Sequence, residues 1–331
     1  MANQATVLVT GGAGYIGSHV VLALWDAGWP VIVLDDLSTG HRQAVPDDVV
    51  FEQGNVGDRA LLGQVFERHA IDAVLHLAGS ISVPESVAQP LAYYRNNTLN
   101  SHTLIEASIA AGVRGWIFSS TAAVYGNPDE VPVAEDAPTR PLNPYGHSKL
   151  MTEQILIDAD AAHHLPHVIL RYFNVAGADP AGRAGPATPG AAHLLKVACE
   201  AAVGKRASVP LFGADYPTAD GTCVRDFIHV SDLAEAHVKA LEYLLAGGRS
   251  AVLNCGYGRG FSVREVLDAV ARSSGRPLTV EAQPRRSGDA IEVVAAAGRI
   301  REVLGWRPRY DDLDRIVGDA LAFERRLHDV A

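Results

Sequence analysis

An apolar run at residues 5–10 passes directly into Gly11-Gly12-Ala13-Gly14-Tyr15-Ile16-Gly17, and an apolar helical stretch at 16–25 follows, closed by Gly28. The next run, 31–35, is again strand-like and ends on Asp35, 18 residues after Gly17. This order of strand, glycine loop, helix, strand and acid leaves a chain few choices. Gly11, Gly14 and Gly17 let the backbone turn tightly and approach a pyrophosphate, which then rests on the helix N-terminus. Asp35 can accept a hydrogen bond from a ribose 2′-hydroxyl and would repel a 2′-phosphate, so the spacing favours NAD over NADP.

The alternation continues. Strand-like patterns at 49–56, 73–77, 116–120 and 168–173 are separated by helical patterns at 59–69, 91–111 and 144–162. Strands divided by helices predict an α/β fold: a doubly wound, mostly parallel sheet of Rossmann type, with its ligand site at the C-terminal ends of the strands. Asn55, Gly79, Thr121 and Asn174 lie just beyond such ends. After Asn174 the texture changes, and 176–189 is rich in Gly, Ala and Pro, as in a hinge. Helices are expected at 191–203 and 232–246, after the capping box Ser262-Val-Arg-Glu265, and at 313–326. The expected division is residues 1–176 as a dinucleotide-binding domain and 177–331 as a smaller, mixed α/β substrate-binding domain. A segment near 226–260 is expected to return to the first domain.

A net charge of −10 argues against a general nucleic-acid or membrane-surface binder, so an anionic ligand must be held by local basic residues. Three widely spaced cysteines, Cys199, Cys223 and Cys255, read as reduced thiols of a cytoplasmic protein. No apolar run reaches the length of a membrane span, and the 13 histidines show no metal-ligand spacing, so no metal site is expected.

One stretch carries chemistry. In Asn143-Pro144-Tyr145-Gly146-His147-Ser148-Lys149, Asn143 suits an N-cap and Pro144 the first helical position, which puts Tyr145 and Lys149 on one helix face. A phenol with a pKa near ~10 is rarely ionised at neutral pH. An ammonium about 4 Å away contributes ~4 kcal/mol at an effective dielectric near 20, but only ~1 kcal/mol in water. The pair is useful as a base only in a cleft that excludes bulk water.

Several segments together resemble one family. They are Thr10-GGAGYIGS-His19, His76-LAG-Ser80, Phe118-SSTAAVYG-Asn127, Pro144-YGHSKL-Met151, Arg171-YFNVAGA-Asp179, Gly213-ADYPTADGTCVRDFIHV-Ser231 and Pro284-RRSGD-Ala290. The chain is similar over nearly its whole length to the extended short-chain dehydrogenases/reductases, in their nucleotide-sugar branch, and most closely to the UDP-glucose 4-epimerase group. The resemblance implies interconversion of UDP-glucose and UDP-galactose by NAD-dependent transient oxidation at C4. It also implies a homodimer formed through a helix pair that includes the Tyr145 helix.

By the same resemblance, Tyr145 is the base, Lys149 lowers its pKa and holds the nicotinamide ribose, and Thr121 bonds the sugar hydroxyl. Gly11, Gly14, Tyr15, Ile16, Gly17, Asp35, Asp36, Asn55 and Val56 would contact NAD, as would Leu77, Ala78, Gly79, Ile81, Asn96, Ser119 and Tyr172. Asn174, His193 and Leu194 would contact the nucleotide, Phe212 the uracil, Arg225 and Arg286 the diphosphate, and Asp289 the uridine ribose. Val293 would lie over the sugar, where a bulky residue goes with rejection of N-acetylated substrates. The chain departs from the family at Asn55 (commonly Asp, with a carbonyl that can still accept from adenine), Ile81 (Lys in some members), His193 (commonly Asn) and Ala296 (commonly Asp). Dehydratases and decarboxylating relatives need an acid after the Thr, and Ala122-Ala123 cannot move a proton. The alternatives left open are 4-epimerisation of UDP-N-acetylhexosamines or other UDP-sugars, and a non-catalytic NAD-binding protein on the same fold.

Overall fold

The computed structural model describes residues 5–188, 190, 193–286 and 288–329. In chain order the first half runs β1 (Thr6–Thr10), α1 (Tyr15–Asp26), β2 (Val31–Asp35), β3 (Val50–Gln53), α2 (Arg59–Arg68) and β4 (Ile71–His76). It continues with α3 (Val83–Ala88), α4 (Pro90–Tyr93), a wide helical turn (Tyr94–Leu99), α5 (Asn100–Ala110), β5 (Gly115–Thr121), α6 (Pro144–His163) and β6 (His167–Tyr172). The second half contains β7 (Asn174–Ala176), α7 (Leu194–Ala202), β8 (Val209–Phe212), β9 (Val224–His229), α8 (Val230–Leu245) and β10 (Ala251–Cys255). It closes with β11 (Gly260–Ser262), α9 (Val263–Ser274), β12 (Val280–Gln283), β13 (Glu292–Val293), α10 (Gly298–Leu304) and α11 (Leu313–Asp329).

Seven parallel strands form the central Rossmann sheet in the order β10-β6-β5-β4-β1-β2-β3. Its inner strands are buried because helices cover both faces: every residue of β2 and β6 is buried, the largely apolar runs ending on Asp35 in β2 and including Arg171 in β6. One apolar cluster, including Val7, Val9, Val33 and Leu75, packs against α1 and continues into α8, α9 and α11. The other, with Leu8, Leu34, Val74, Trp116 and Phe118, faces α2, α5 and α6. Chain order reverses at β1, which lies between β2 and β4, and this opens the ligand crevice of such folds at the C-terminal strand ends. Leu77 N–H donates to Thr10 O (3.0 Å) and closes the floor of that crevice.

Two elements differ from the sequence pattern. The helical pattern at 91–111 is divided: the wide turn frees the Asn97 carbonyl, which accepts from the Ser101 and Thr152 hydroxyls. The expected strand at 49–56 stops at Gln53, because Gly54 N–H bonds Asp35 O and the chain turns through Asn55, whose carbonyl accepts from Gly57 N–H. Of the helix expected at 191–203, Ala191 and Ala192 lie outside the described residues. The capping box is present, with Ser262 Oγ accepting from Glu265 N–H (3.1 Å) and Glu265 Oε2 accepting from Ser262 N–H (2.7 Å). Beyond the main sheet, β9 carries β7, β11 and β13, and β8 pairs with β12.

Candidate active site

Asn143 Oδ1 accepts from Gly146 N–H (2.9 Å) and Pro144 takes the first helical position, so the Asn-Pro start of α6 forms as its residue types dictate. The end of β5 receives three side chains from this helix. Thr121 lies beside Tyr145, the Ser119 carbonyl accepts from Lys149 Nζ (2.8 Å), and Ser120 Oγ donates to Glu153 Oε1. Tyr145 is partly buried at the crevice and Lys149 is buried.

The electrostatics differ from the expected pairing. Burial raises the Tyr145 phenol above its ordinary value, and the neighbouring Thr121 hydroxyl, not Lys149, acts against that rise. The ammonium is directed at Ser119 O and lies 4.9 Å from the centre of the Phe118 ring, so its field serves the strand end first. Burial in turn pulls Lys149 down to about 8, opposed by the Glu153 carboxylate.

The loop after β4 is fixed by a residue absent from the expected set. Asn97 is buried; its Oδ1 accepts from Ser80 N–H (2.8 Å), and its Nδ2 donates to Ser80 O (2.9 Å) and Ser148 Oγ (3.0 Å). Its only sequence signal is a polar side chain in the middle of a helical stretch. Asn96, which was expected, donates to Ser80 Oγ (2.9 Å) on the same loop. Gly79, at φ 159°, would place a Cβ 3.1 Å from Asn97 Oδ1 and 3.5 Å from Lys149 Nζ, which brings that loop to the α6 wall.

The glycine loop has the shape a dinucleotide requires. Gly11 has φ 71° and an added Cβ would stand 2.6 Å from Ala78 N, while a Cβ on Gly17 would collide with Gly11 O. Gly14 caps α1 with no side-chain bond, and no acid occupies the first turn, so that positive helix end is left to an anion. Tyr15 Oη donates to Gly177 O (2.8 Å) and Ile16 packs on the core, so both brace the loop from behind. Asp35 is buried and accepts from Ala13 N–H (2.9 Å) and Leu37 N–H (2.8 Å), one bond per oxygen, with burial raising its pKa; each oxygen keeps a lone pair. These residues fit NAD.

Other expected contacts take different partners. Asn55 Oδ1 already accepts from Gly57 N–H (2.9 Å) and Asn100 Nδ2 (3.0 Å), and Asn55 Nδ2 donates to Asp36 Oδ2 (2.9 Å). Both carbonyl lone pairs are engaged, so the expected acceptance from an adenine amino group is not available in this arrangement. The Tyr172 hydroxyl turns into the core to bond His237 Nε2, so any contact of Tyr172 with NAD falls to its ring or backbone. Ile81 is exposed, Val56 is buried, and Leu77 and Ala78 pack on the two apolar clusters.

In the second half of the chain, Arg286 lies over the Phe212 ring, with Cζ 3.6 Å from the centroid, so one face of the ring expected beside uracil carries a guanidinium. Arg225 donates to Ala290 O (2.6 Å), Ile291 O (3.2 Å) and Val224 O (2.8 Å), which ties β9 to the strand carrying Val293. Asn174 and His193 are exposed, Leu194 packs on the core, and Asp289 is partly exposed. Val293 is only 6% exposed, in a cluster with Ala122, Tyr125 and Phe173 that borders Thr121 and Asn174.

Residues 7–256 match the profile of the NAD dependent epimerase/dehydratase family. The chain is 61% identical over 326 residues to the UDP-glucose 4-epimerase of Azospirillum brasilense, covering 98% of this chain and 94% of the other. A crystal structure of UDP-glucose 4-epimerase from Bifidobacterium longum, in complex with NAD+ and UDP, superposes with TM-score 0.93 at 38% identity, over 97% and 98% of the two chains. The UDP-Glc/GlcNAc 4-epimerase of Campylobacter jejuni superposes with TM-score 0.85 at 46% identity, over 97% and 99%. With its glycine loop, its Tyr145–Lys149 wall and this kinship along nearly its full length, the chain belongs to the NAD dependent epimerase/dehydratase family, among the UDP-glucose 4-epimerases.

Proposed function

We propose that Tyr145, Thr121 and Lys149 carry out the NAD-dependent interconversion of UDP-glucose and UDP-galactose through transient oxidation at C4 of the sugar. The observation that carries this is the end of β5, where Thr121 meets Tyr145 and Ser119 holds Lys149, followed by Ala122 and Ala123. NAD, when bound, supplies the hydride acceptor and donor for C4. Tyr145 Oη removes the proton of the C4 hydroxyl as that carbon is oxidised, and returns it when the carbon is reduced on its other face. Thr121, beside the phenol, would bond the same sugar hydroxyl, and Lys149, held on Ser119 O, would bind the nicotinamide ribose. Elimination of water would need a further acid or base next to Thr121, and the alanines provide none.

The glycine loop, Asp35 and the loop holding Gly79 bind NAD, in the domain formed by residues 1–176 with β10 returned to its sheet. Arg286, Arg225, Phe212 and Asp289 bind the UDP moiety from the domain of residues 177–331. Val293 is a small residue at the border of the sugar site, and this favours a second substrate pair, UDP-N-acetylglucosamine and UDP-N-acetylgalactosamine. The working form is a homodimer: Leu91 (81% exposed) and Leu99 (61% exposed), beside α6 with its exposed Met151, offer the apolar face for a second copy. Cys199, Cys223 and Cys255 are free and buried, in keeping with a cytoplasmic enzyme.

Purified protein incubated with UDP-galactose and no added NAD is expected to form UDP-glucose. Formation of a 4-keto-6-deoxy sugar, or no turnover by protein that carries NAD, would overturn the reading. Sedimentation at twice the chain mass, reduced to a single mass by Leu91→Glu, tests the dimer.

A further inference from the structure

Tyr145, Lys149 and Glu153 occupy successive turns of one face of α6, and the third has no part in the reaction as derived so far. Glu153 is 1% exposed, as buried as any core leucine, and a buried charge requires a partner. Arg171 of β6 supplies it: Nη2 donates to Oε2 (2.7 Å) and Nε donates to Oε1 (3.1 Å). The guanidinium is itself fixed by Nη1, which donates to the Tyr125 hydroxyl (2.9 Å) and Glu135 O (3.0 Å). Ser120, between the residues that hold Lys149 and Tyr145, donates to Glu153 Oε1. The carboxylate therefore cannot swing away or recruit water.

We propose that Glu153 is a positioning residue for the epimerisation: a fixed carboxylate one turn beyond Lys149 that keeps the buried ammonium charged and directed at Ser119 O. The inference rests on the reading of Tyr145 and Lys149 as the reactive pair. The groups facing Lys149 are few. From α6 it is Glu153, from β4 His76, from the loop after β4 Gly79, and from β5 the Ser119 carbonyl and the Phe118 ring. His76 contributes no charge at working pH, because burial and the nearby ammonium hold it at about 3, and its two ring nitrogens bond Thr10 and Ser101. Glu153 is thus the negative charge that opposes the burial of Lys149, while Arg171 holds that carboxylate through both of its oxygens. A purely structural ion pair would serve as well with its negative end away from the ammonium.

The signs give a direct test. Lys149 is charged below about 8 and loses its proton as pH rises through that value. Removing the Glu153 charge lowers this point further. Glu153→Gln alone strands Arg171 in the core and threatens folding, so the decisive variant is Glu153→Gln with Arg171→Met, which removes both charges together. In the NAD-loaded enzyme, the alkaline limb of kcat/KM for UDP-galactose is expected to move down by ~1 pH unit, so activity falls about sixfold more at pH 8.5 than at pH 6.5. Glu153→Asp retains the charge and should keep the limb within ~0.3 unit of the parent. A folded double variant that loses activity equally at every pH would overturn the proposal. So would an Asp variant whose limb moves as far as that of the double variant. Failure of the underlying reading would show separately, as full activity in Tyr145→Phe.

Discussion

Between Gly11 and Asp35 the crevice wall is mostly backbone, with Gly17 packed against Gly11, an uncapped helix end, and Asp35 pinned by two main-chain amides. From Phe212 to Asp289 the second wall is side chain, with one guanidinium over a ring and another tied to the carbonyl oxygens of Ala290 and Ile291. A backbone wall has one shape and nothing to rearrange, which suits a cofactor restored in every cycle. A wall of stacked side chains can part and close again, which suits a substrate that must enter and leave. The strand end proposed to carry the reaction, Ser119 to Thr121, receives its partners from α6.

The largest test bears on that strand end. Tyr145→Phe removes the proposed proton acceptor without disturbing either wall, so kcat should fall by about 10²–10⁴-fold while NAD content and melting temperature stay at parent values. Lys149→Ala should be as damaging, and the losses should not add if the two act as a unit. Activity within tenfold of the parent would remove Tyr145 from the reaction.

On the backbone wall, Gly17→Ala places a methyl group against Gly11 O, a contact that main chain cannot relieve. NAD released on denaturation should drop by roughly tenfold or more per chain, with the remaining chains still turning over substrate normally. Parent-like NAD content would show that the wall yields, and the contrast between the two sides would fail.

How much of this was legible in the sequence follows the same division. A glycine loop between two apolar runs announces itself within thirty residues, and so does an Asn-Pro helix start, because both are local. The strands of the two smaller sheets were not foreseen: β8, β12 and β13 are four, four and two residues long, too short to mark themselves by pattern, and β12 is exposed throughout. Arg225 meets Ala290 across 65 positions, and Arg171 meets Glu153 across 18 from a different element; pairings of this kind follow only from the completed fold. Asn55 could be foreseen as a carbonyl acceptor, but not that Gly57 and Asn100 would fill it.

A smaller effect tests the sugar end of the side-chain wall. Val293 packs with Ala122 and Phe173, so Val293→Tyr drives a ring toward the space beside Thr121, at a cost of ~1–3 kcal/mol. Turnover of UDP-N-acetylglucosamine, measured as kcat/KM, should fall by about 5- to 150-fold while UDP-galactose is spared. Equal losses on both substrates would mean that Val293 does not gate the sugar.

The smallest effect belongs to the nucleotide end. Arg286 is held over Phe212 by attraction between a cation and a ring face, worth ~0.5–1 kcal/mol at a partly exposed site. Phe212→Leu keeps apolar bulk but removes the platform, so the guanidinium loses its fixed height above the strand. The uridine end is the same in substrate and transition state, so the interaction there is uniform binding and its loss belongs in KM. KM for UDP-galactose should rise by about 2- to 5-fold with kcat within a factor of two. In Arg286→Ala the further change Phe212→Leu should then cost almost nothing, because the two side chains act as a pair. A fall in kcat at unchanged KM would instead place this stack in the transition state, and the side-chain wall would be part of the catalytic apparatus.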